Sequence, residues 1–140
     1  MSATPGSSSL TLARGLRVLR TLADSPEGIS VTDLAAELGT HRTGIYRLLG
    51  PLVEERLAVR RPDGTYALGL GILELAGAVR PRLHEAAAPV LQDLADELRA
   101  TTALTLRDGD EAVVAAVLEP TSVPMRIAYA PGLRHPVDRA

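Results

Sequence analysis

Residues 29–55, ISVTDLAAELGTHRTGIYRLLGPLVEE, contain two helical patterns separated by a very short turn. Ser30 and Asp33 stand at the spacing of a capping box, which predicts that a helix begins there. Gly39 follows as a stop, because glycine readily adopts the left-handed conformation that ends helices. The first helix of the pair is therefore short and has a defined end.

A second helix follows almost at once, and Thr40 is the residue expected to cap it. Pro51 lies inside its helical pattern and predicts a kink or an early end, with a last irregular turn over residues 54–56. Two short helices joined by so tight a turn are the signature of a helix-turn-helix. The apolar residues expected to face inward follow the i, i+3, i+4, i+7 rule and are Ile45, Leu48, Leu49 and Leu52.

The segment before this pair predicts a further helix over residues 10–24. Leucines recur there at helical spacing, with arginines on the other faces. Their regular spacing predicts that the leucines form the buried face, and they are Leu12, Leu16, Leu19 and Leu22.

The segment after the pair predicts a β-hairpin. Residues 57–61 and 65–68 favour extended structure, and Pro62-Asp63-Gly64 separates them. Asp-Gly between two extended runs is a strong hairpin signal, because glycine adopts the positive φ that such turns require. A hairpin that directly follows a helix-turn-helix is its wing.

Two further helices and a set of strands are predicted beyond the wing. Residues 70–81 resume a helical period, which predicts a connector helix that also offers a dimer seam. A second apolar stripe predicts a helix from residue 82 to about residue 100, bent at Pro89. Three strands are then predicted, the first two as a hairpin, over residues 103–107, 111–118 and 125–130. The expected fold class is α+β: a winged helix-turn-helix of three helices and a β-hairpin wing, a connector helix, and an incomplete α/β domain of the effector type.

Composition narrows the class of protein. The 140 residues are 46% hydrophobic and 23% charged, which are globular proportions. The chain has no cysteine, no nucleophile-elbow string and no phosphate-cradling glycine loop, so we expect neither an enzyme nor a bound cofactor. Its three histidines lie far apart in sequence, and we expect no metal site. No apolar run approaches the ~20 residues that span a bilayer, so we expect a cytoplasmic protein without a membrane partner.

Charge is unevenly distributed along the chain, whose formal net charge is -2. Residues 10–82 contain ten Arg against eight acidic residues, whereas residues 83–140 contain five Arg against nine. Every basic residue is Arg, and the planar guanidinium group suits both phosphate and guanine. A nucleic-acid partner would therefore meet the first half of the chain.

The order of these elements and several strings of sequence resemble the IclR family of bacterial transcription regulators. The strings are LARGLRVLRTLAD at 12–24, the stretch at 29–55, and PDGTYALGLGILELA at 62–76. Two later strings are similar to the beginning of the family's GAF-like effector-binding domain: ALTLRDGDEAVVAAVLEP at 103–120 and PMRIAYAPGLRHPVDRA at 124–140.

The resemblance implies a DNA-binding transcriptional regulator, either a repressor or an activator. Its implied partners are double-stranded DNA, further copies of itself in a homodimer or tetramer, and a small-molecule effector whose binding residues are left unassigned. An alternative is a dimerisation partner of full-length regulators that does not itself bind DNA. The expected domains are a disordered tail at 1–9, a winged helix-turn-helix at 10–69, a connector helix at 70–81 and a truncated GAF-like domain at 82–140.

The candidate DNA-contacting residues follow from the inward face of the second helix of the pair. The four aliphatic side chains of this helix are turned inward, so the remaining residues either face the major groove or flank it. They are His41, Arg42, Thr43, Gly44, Tyr46 and Arg47. Arg42 and Thr43 are expected at base edges, because they lie near the start of the helix. Tyr46 and Arg47 are expected at phosphate or sugar. Gly44 either lets the helix approach the bases closely or merely removes one contact.

Arginines outside that helix are further candidates. Arg60 and Arg61 lie beside the turn of the wing and would lie along neighbouring phosphates. Arg14 and Arg17 face either DNA or solvent. The competing interpretation of every one of these arginines is an ordinary solvated surface residue.

Overall fold

The structure, a computed structural model, describes residues 9–122 and 130–137. Its contacts divide the chain into two compact units, Met1–Val79 and Arg80–Ala140. The elements described in the first unit are α1 Leu10–Ala23, α2 Val31–Glu37, α3 Arg42–Glu54, β1 Ala58–Arg60, β2 Tyr66–Leu68 and α4 Gly71–Gly77. Those described in the second unit are α5 Pro81–Leu98, β3 Thr102–Asp108, β4 Glu111–Leu118 and β5 Arg134–Pro136. The predicted tail falls outside the described residues except for Ser9, whose side chain caps α1.

The core of the first unit gathers side chains from all three helices of the winged motif. Its fully buried large side chains are Val18, Leu22, Leu34, Ile45 and Leu49. The inward face predicted for α3 is confirmed, because Ile45 and Leu49 are buried and the other two aliphatic residues of that face are partly buried against the same cluster. The opposite face of α3 is consequently turned away from the core.

The buried face predicted for α1 is only partly correct. Leu12 and Leu16 are 63% and 52% exposed, whereas Val18, Thr21 and Leu22 are buried. Every buried residue of α1 lies in its second half, so the core extends only along that half of the helix. Helical spacing marks a face of the helix, but it does not indicate how far along the helix the core extends.

The turn between α2 and α3 shows the predicted chemistry with one correction. Asp33 donates its N–H to the Ser30 hydroxyl at 3.1 Å, and that hydroxyl donates to the Asp33 carboxylate at 2.6 Å. Gly39, at φ 60°, donates to the Ala36 carbonyl, while Thr40 donates to the Ala35 carbonyl; together these bonds form a Schellman motif.

That motif overturns the prediction that Thr40 caps α3. Because the backbone of Thr40 completes the end of α2, the N-cap of α3 is the next residue, His41, which makes no side-chain cap bond. An early end of α3 at Pro51 is also wrong, since the helix continues through that residue to Glu54. Arg56, at φ 58°, then reverses the chain into β1.

The wing is the antiparallel hairpin β1–β2, in which Ala58 pairs with Leu68 and Arg60 with Tyr66. Ile29 adds an isolated bridge to Tyr66, so the chain before α2 lies against β2. Gly64 takes φ 85° in the turn, as the Asp-Gly pattern predicts. The Asp63 carboxylate accepts hydrogen bonds from the Thr65 hydroxyl at 2.7 Å and the Thr65 N–H at 2.9 Å.

These hydrogen bonds predict a shift in the pKa of Asp63 that a pH titration can measure. The Thr65 hydroxyl and then the Thr65 N–H lower the pKa of Asp63 from its usual value of 3.8, because both bonds favour the carboxylate. The stabilisation they give the turn is present above the unfolded pKa and is lost as pH falls through the lowered, folded pKa. Thr65→Ala is expected to raise the Asp63 pKa. NMR of the side-chain carboxyl carbon measures this pKa. The pKa of Asp96, lowered by Thr121 rather than Thr65, is the internal control and is expected to stay low.

Two glycines close the other end of the wing against the end of α3. Gly71 donates its N–H to the Arg56 carbonyl at 2.9 Å, and Gly69 donates to the Leu57 carbonyl at 2.9 Å. A Cβ placed on Gly69 would lie 2.2 Å from the Arg56 carbonyl oxygen, and one on Gly71 would lie 2.8 Å from it. The backbone therefore approaches itself here more closely than any side chain permits.

The connector helix is shorter than the prediction of residues 70–81. α4 ends at Gly77, and Arg80 takes a left-handed conformation at φ 47° immediately before Pro81. The residue before a proline is disfavoured in the α-helical conformation, and proline itself is well suited to the first position of a new helix. Pro81 accordingly begins α5.

The second unit packs α5 against a sheet of order β3-β4-β5. The predicted hairpin is confirmed: β3 pairs antiparallel with β4, and Gly109, at φ 67°, lies in its turn. Ala95 of α5 and Val114 of β4 are almost completely buried. A shift of register leaves Ala115 of β4 as an extra residue, and its carbonyl lies 2.9 Å from Nε2 of His84.

The predicted third strand at 125–130 lies outside the described residues except for Ala130, which is not in a strand. A short strand that the sequence pattern did not predict, β5, pairs with the start of β4. Its Arg134 donates to Asp108 and Glu111, both at 2.7 Å, and these bonds raise the pKa of the guanidinium. None of the helices described in residues 9–122 and 130–137 combines the length and the hydropathy that a membrane span requires.

Candidate nucleic-acid interface

The face of α3 opposite the core brings together the side chains that sequence patterns select. Four of these side chains belong to residues of the helix itself, and His41 precedes the helix as its N-cap. Gly44 is partly buried, whereas the exposed members are His41, Arg42, Thr43, Tyr46 and Arg47. Tyr46 is 49% exposed and is therefore no part of the core. The structure thus leaves this whole surface open to a partner.

Charge along α3 changes sign from its start to its end. Arg42 and Arg47 lie in the first half, and Glu54 and Glu55 follow at the end. Within residues 9–122 and 130–137, neither arginine forms an ion pair or a side-chain hydrogen bond. The N-terminal end of a helix also carries a partial positive charge. The first half of α3 is therefore a positively charged surface without an internal counter-charge among the described residues.

The two arginines of the wing differ from one another. Arg60 is exposed and, among the residues that the structure describes, has no ion-pair partner. Arg61 is partly buried, and its guanidinium donates to the carbonyls of Pro26, at 2.8 Å, and Glu27. Arg61 therefore fastens the wing to the loop between α1 and α2, a role that its position beside the turn did not indicate.

Arg14, which sequence reasoning could not place, lies beside the recognition surface. Together with Arg47 it lines a cleft between α1 and α3, whose other lining residues are Thr11, Thr40, Gly44 and Leu48. Arg17 lines a neighbouring recess with Arg14 and Leu38. No local pattern could reveal this arrangement, because it depends on how α1 crosses α3.

Gly44 forms part of this cleft for a steric reason. A Cβ built on Gly44 would lie 3.2 Å from the Thr40 hydroxyl oxygen, which is closer than side chains normally pack. Its N–H is already bonded to the His41 carbonyl at 2.9 Å. The absence of a side chain therefore keeps the cleft open and offers a partner no extra donor.

A metal centre has no support in the described part of the chain. No group of three or more His, Asp or Glu side chains there could hold a metal ion. The chemistry available at this surface is that of guanidinium, hydroxyl, phenol and imidazole groups.

Known proteins with related sequences are named as transcriptional regulators of the helix-turn-helix type. Residues 11–62 match the IclR helix-turn-helix domain. The chain is 30% identical over 129 residues to the HTH-type transcriptional regulator KipR of Bacillus subtilis, covering 91% of this chain and 51% of that protein. It is 36% identical over 111 residues to the HTH-type transcriptional regulator Rv1719 of Mycobacterium tuberculosis, covering 78% and 43%.

A solved structure with a similar fold extends the match beyond the winged motif. The IclR homolog of Microbacterium hydrocarbonoxydans, solved in complex with 4-hydroxybenzoate, has a TM-score of 0.75 and 26% sequence identity, over 90% of this chain and 53% of that one. The chain spans about half the length of the curated relatives it matches. Residues 11–62 thus carry an IclR helix-turn-helix domain, and the chain has a fold similar to that of a solved IclR homolog.

Proposed function

We propose that the chain regulates transcription by binding duplex DNA, with α3 lying in the major groove. The observation that carries the proposal is the exposed face of α3, where Arg42 and Arg47 stand without an internal counter-charge among the described residues. A major groove about 12 Å wide admits a helix whose diameter with side chains is about 10–12 Å. The core holds α3 by its opposite face, so the helix can enter the groove without unfolding.

The contacts divide into base reading and positioning. Arg42, at the first turn of α3, is suited to two hydrogen bonds with one guanine, and Thr43 beside it to a base edge or a thymine methyl. Tyr46, Arg47 and the wing's Arg60 are suited to the sugar–phosphate backbone, where they fix the register of the helix. Arg61 is left out of the contacting set, because its guanidinium serves the loop carbonyls.

We propose that the active species is a homodimer or a tetramer on a two-fold symmetric site. One winged motif covers too little DNA to be selective, and two-fold symmetric binding to a palindrome is the common remedy. α4 and the residues around it expose apolar side chains that a second copy could cover: Leu70 at 78%, Leu73 at 67%, Leu75 at 59% and Val79 at 62%.

We also propose that a small molecule modulates DNA binding. The support is the solved relative that holds 4-hydroxybenzoate, an aromatic carboxylate. No side chain of this chain is assigned to an effector, and the proposal extends equally to repression and to activation.

The experiment that tests DNA binding is a salt titration with the full chain. A duplex enriched from a random-sequence pool is labelled, and fluorescence anisotropy follows its binding from about 50 to 200 mM salt. Each phosphate neutralised contributes a slope of about -0.9 to log K against log salt. A dimer using Arg47 and Arg60 in both subunits is therefore expected to give a slope of about -4 or steeper. Absence of binding at 50 mM salt would contradict the proposal and favour a dimerisation partner that does not contact DNA.

A further inference from the structure

The cleft between α1 and α3 combines groups that recognise phosphate. It is lined by the guanidinium-bearing Arg14 and Arg47 and by the hydroxyl-bearing Thr11 and Thr40, and none of the acidic residues that the structure describes lines it. We propose that this cleft is a binding site for a single backbone phosphate of the duplex, shared by Arg14 and Arg47. This inference rests on the proposed function and adds α1, as well as α3 and the wing, to the DNA-contacting surface.

The position of the cleft on α3 favours a phosphate over a base. At about 100° per residue, Gly44 lies about 160° from Arg42 around the helix axis, at the opposite edge of the exposed face, and Arg47 lies about 60° from Gly44, between that edge and the middle of the face. A helix that fills the major groove has a sugar–phosphate strand along each of its two edges. Gly44 and the neighbouring Arg47 line the side of α3 that faces α1, so the cleft opens towards one of these strands.

The chemistry of the lining also fits a phosphodiester. Arginine forms forked, charge-assisted hydrogen bonds to phosphate oxygens, and two arginines can serve one phosphate from two sides. Threonine hydroxyls supply weaker donors at the same site. Leu48 forms an apolar wall, which lowers the local dielectric and strengthens the charge interactions beside it.

Gly44 gains a specific role in this arrangement. Its missing side chain leaves room beside the Thr40 hydroxyl, which a Cβ would approach to 3.2 Å. Glycine in this first turn of α3 has a lower helix propensity than Ala, which is a cost to the helix. The open cleft explains why glycine stands at this position, because it gives a phosphate access to the two arginines.

The test compares Arg14→Ala with Arg20→Ala in the full chain. Both residues are exposed arginines of α1, but Arg20 lines neither the cleft nor the recess beside it. Binding is measured with the enriched duplex and with a scrambled duplex of the same composition. Arg14→Ala is expected to weaken both duplexes by the same factor, about 5- to 20-fold. It is also expected to make the salt slope shallower by less than about 1 per subunit, because Arg47 remains on the shared phosphate. Arg20→Ala is expected to change affinity less than twofold and to leave the slope unchanged.

Several outcomes would overturn the assignment. Unchanged affinity and slope in Arg14→Ala, with the parent chain binding DNA normally, would remove the cleft and leave the proposed function standing. A loss confined to the enriched duplex would indicate a base contact instead of a phosphate contact. Absence of DNA binding by the parent chain would remove the proposed function and the cleft together.

A double-mutant cycle tests whether one phosphate is shared. Groups that belong to one hydrogen-bonding network are coupled, so the loss in Arg14→Ala/Arg47→Ala is expected to be smaller than the product of the two single losses. Losses that simply multiply would place the two arginines on separate phosphates and overturn the shared site. The thermal unfolding temperature of each variant is expected to match that of the parent, since Arg14, Arg20 and Arg47 are all exposed.

Discussion

Replacing Arg42 and Arg47 together by Ala is expected to lower affinity for the enriched duplex by at least about 100-fold. One bidentate arginine–guanine pair contributes about 1–3 kcal/mol of discrimination, and a hydrogen bond to a charged group contributes about 1.5–3 kcal/mol. Even the lower ends of these ranges add up to about 2.5 kcal/mol in each subunit, and a dimer loses them twice. Fluorescence anisotropy at a fixed salt concentration measures the effect.

The two single variants are expected to lose different components of DNA binding. Arg42→Ala should bring the affinities for the enriched and scrambled duplexes closer together, because it removes base reading. Arg47→Ala should weaken both duplexes alike, because it removes a phosphate contact. Arg107→Ala, an exposed arginine of β3 in the second unit, is the matched control and is expected to bind as the parent does. Affinity within threefold of the parent in the double variant would refute the assignment of α3 as the recognition helix.

The first unit could be predicted from sequence wherever the determinants are local. The Ser30–Asp33 cap and the stop at Gly39 depend on residues within one or two turns of each other. The same holds for the turn at Gly64, whose positive φ follows from the Asp-Gly pair. The exposed face of α3 could be predicted as well, because the apolar residues of the helix recur on one side and that side packs on the core.

Features that depend on tertiary contacts could not be predicted in this way. The exposure of Leu12 and Leu16 reflects where the core ends along α1, and no periodicity records that boundary. The bonds from Arg61 to the Pro26 and Glu27 carbonyls join residues 34 and 35 positions apart. The pairing of Arg14 with Arg47 in one cleft likewise requires the crossing of two helices.

The strand β5 shows the same limit in the second unit. Its sequence, Arg134-His135-Pro136, has little intrinsic preference for extended structure. It becomes a strand because the edge of β4 accepts it and because Arg134 is held between Asp108 and Glu111 at the hairpin's turn. Exposed ion pairs of this kind contribute little stability individually, so the ladder with β4 is the main support of the strand.

Gly69→Ala is expected to destabilise the first unit by about 3 kcal/mol or more, at or above the upper end of the range for overpacking. The added Cβ would lie 2.2 Å from the Arg56 carbonyl oxygen, 2.8 Å from the Arg56 carbonyl carbon and 3.1 Å from the Ala58 nitrogen. All three are backbone atoms, so no side-chain rotation relieves the clash. The chain must instead move at the junction of α3 with β1.

The consequence reaches beyond stability, because the same junction orients the recognition helix relative to the wing. Moving the Arg56 carbonyl also disturbs its bond from Gly71, at 2.9 Å, and hence the start of α4. Chemical denaturation followed by circular dichroism measures the effect. Gly15→Ala is the matched control: a Cβ there meets nothing within 4 Å, and the gain in helix propensity is about 1 kcal/mol, so this variant is expected to be more stable than the parent. Equal stability of the two variants would show that the close approach of Gly69 to Arg56 does not constrain the fold.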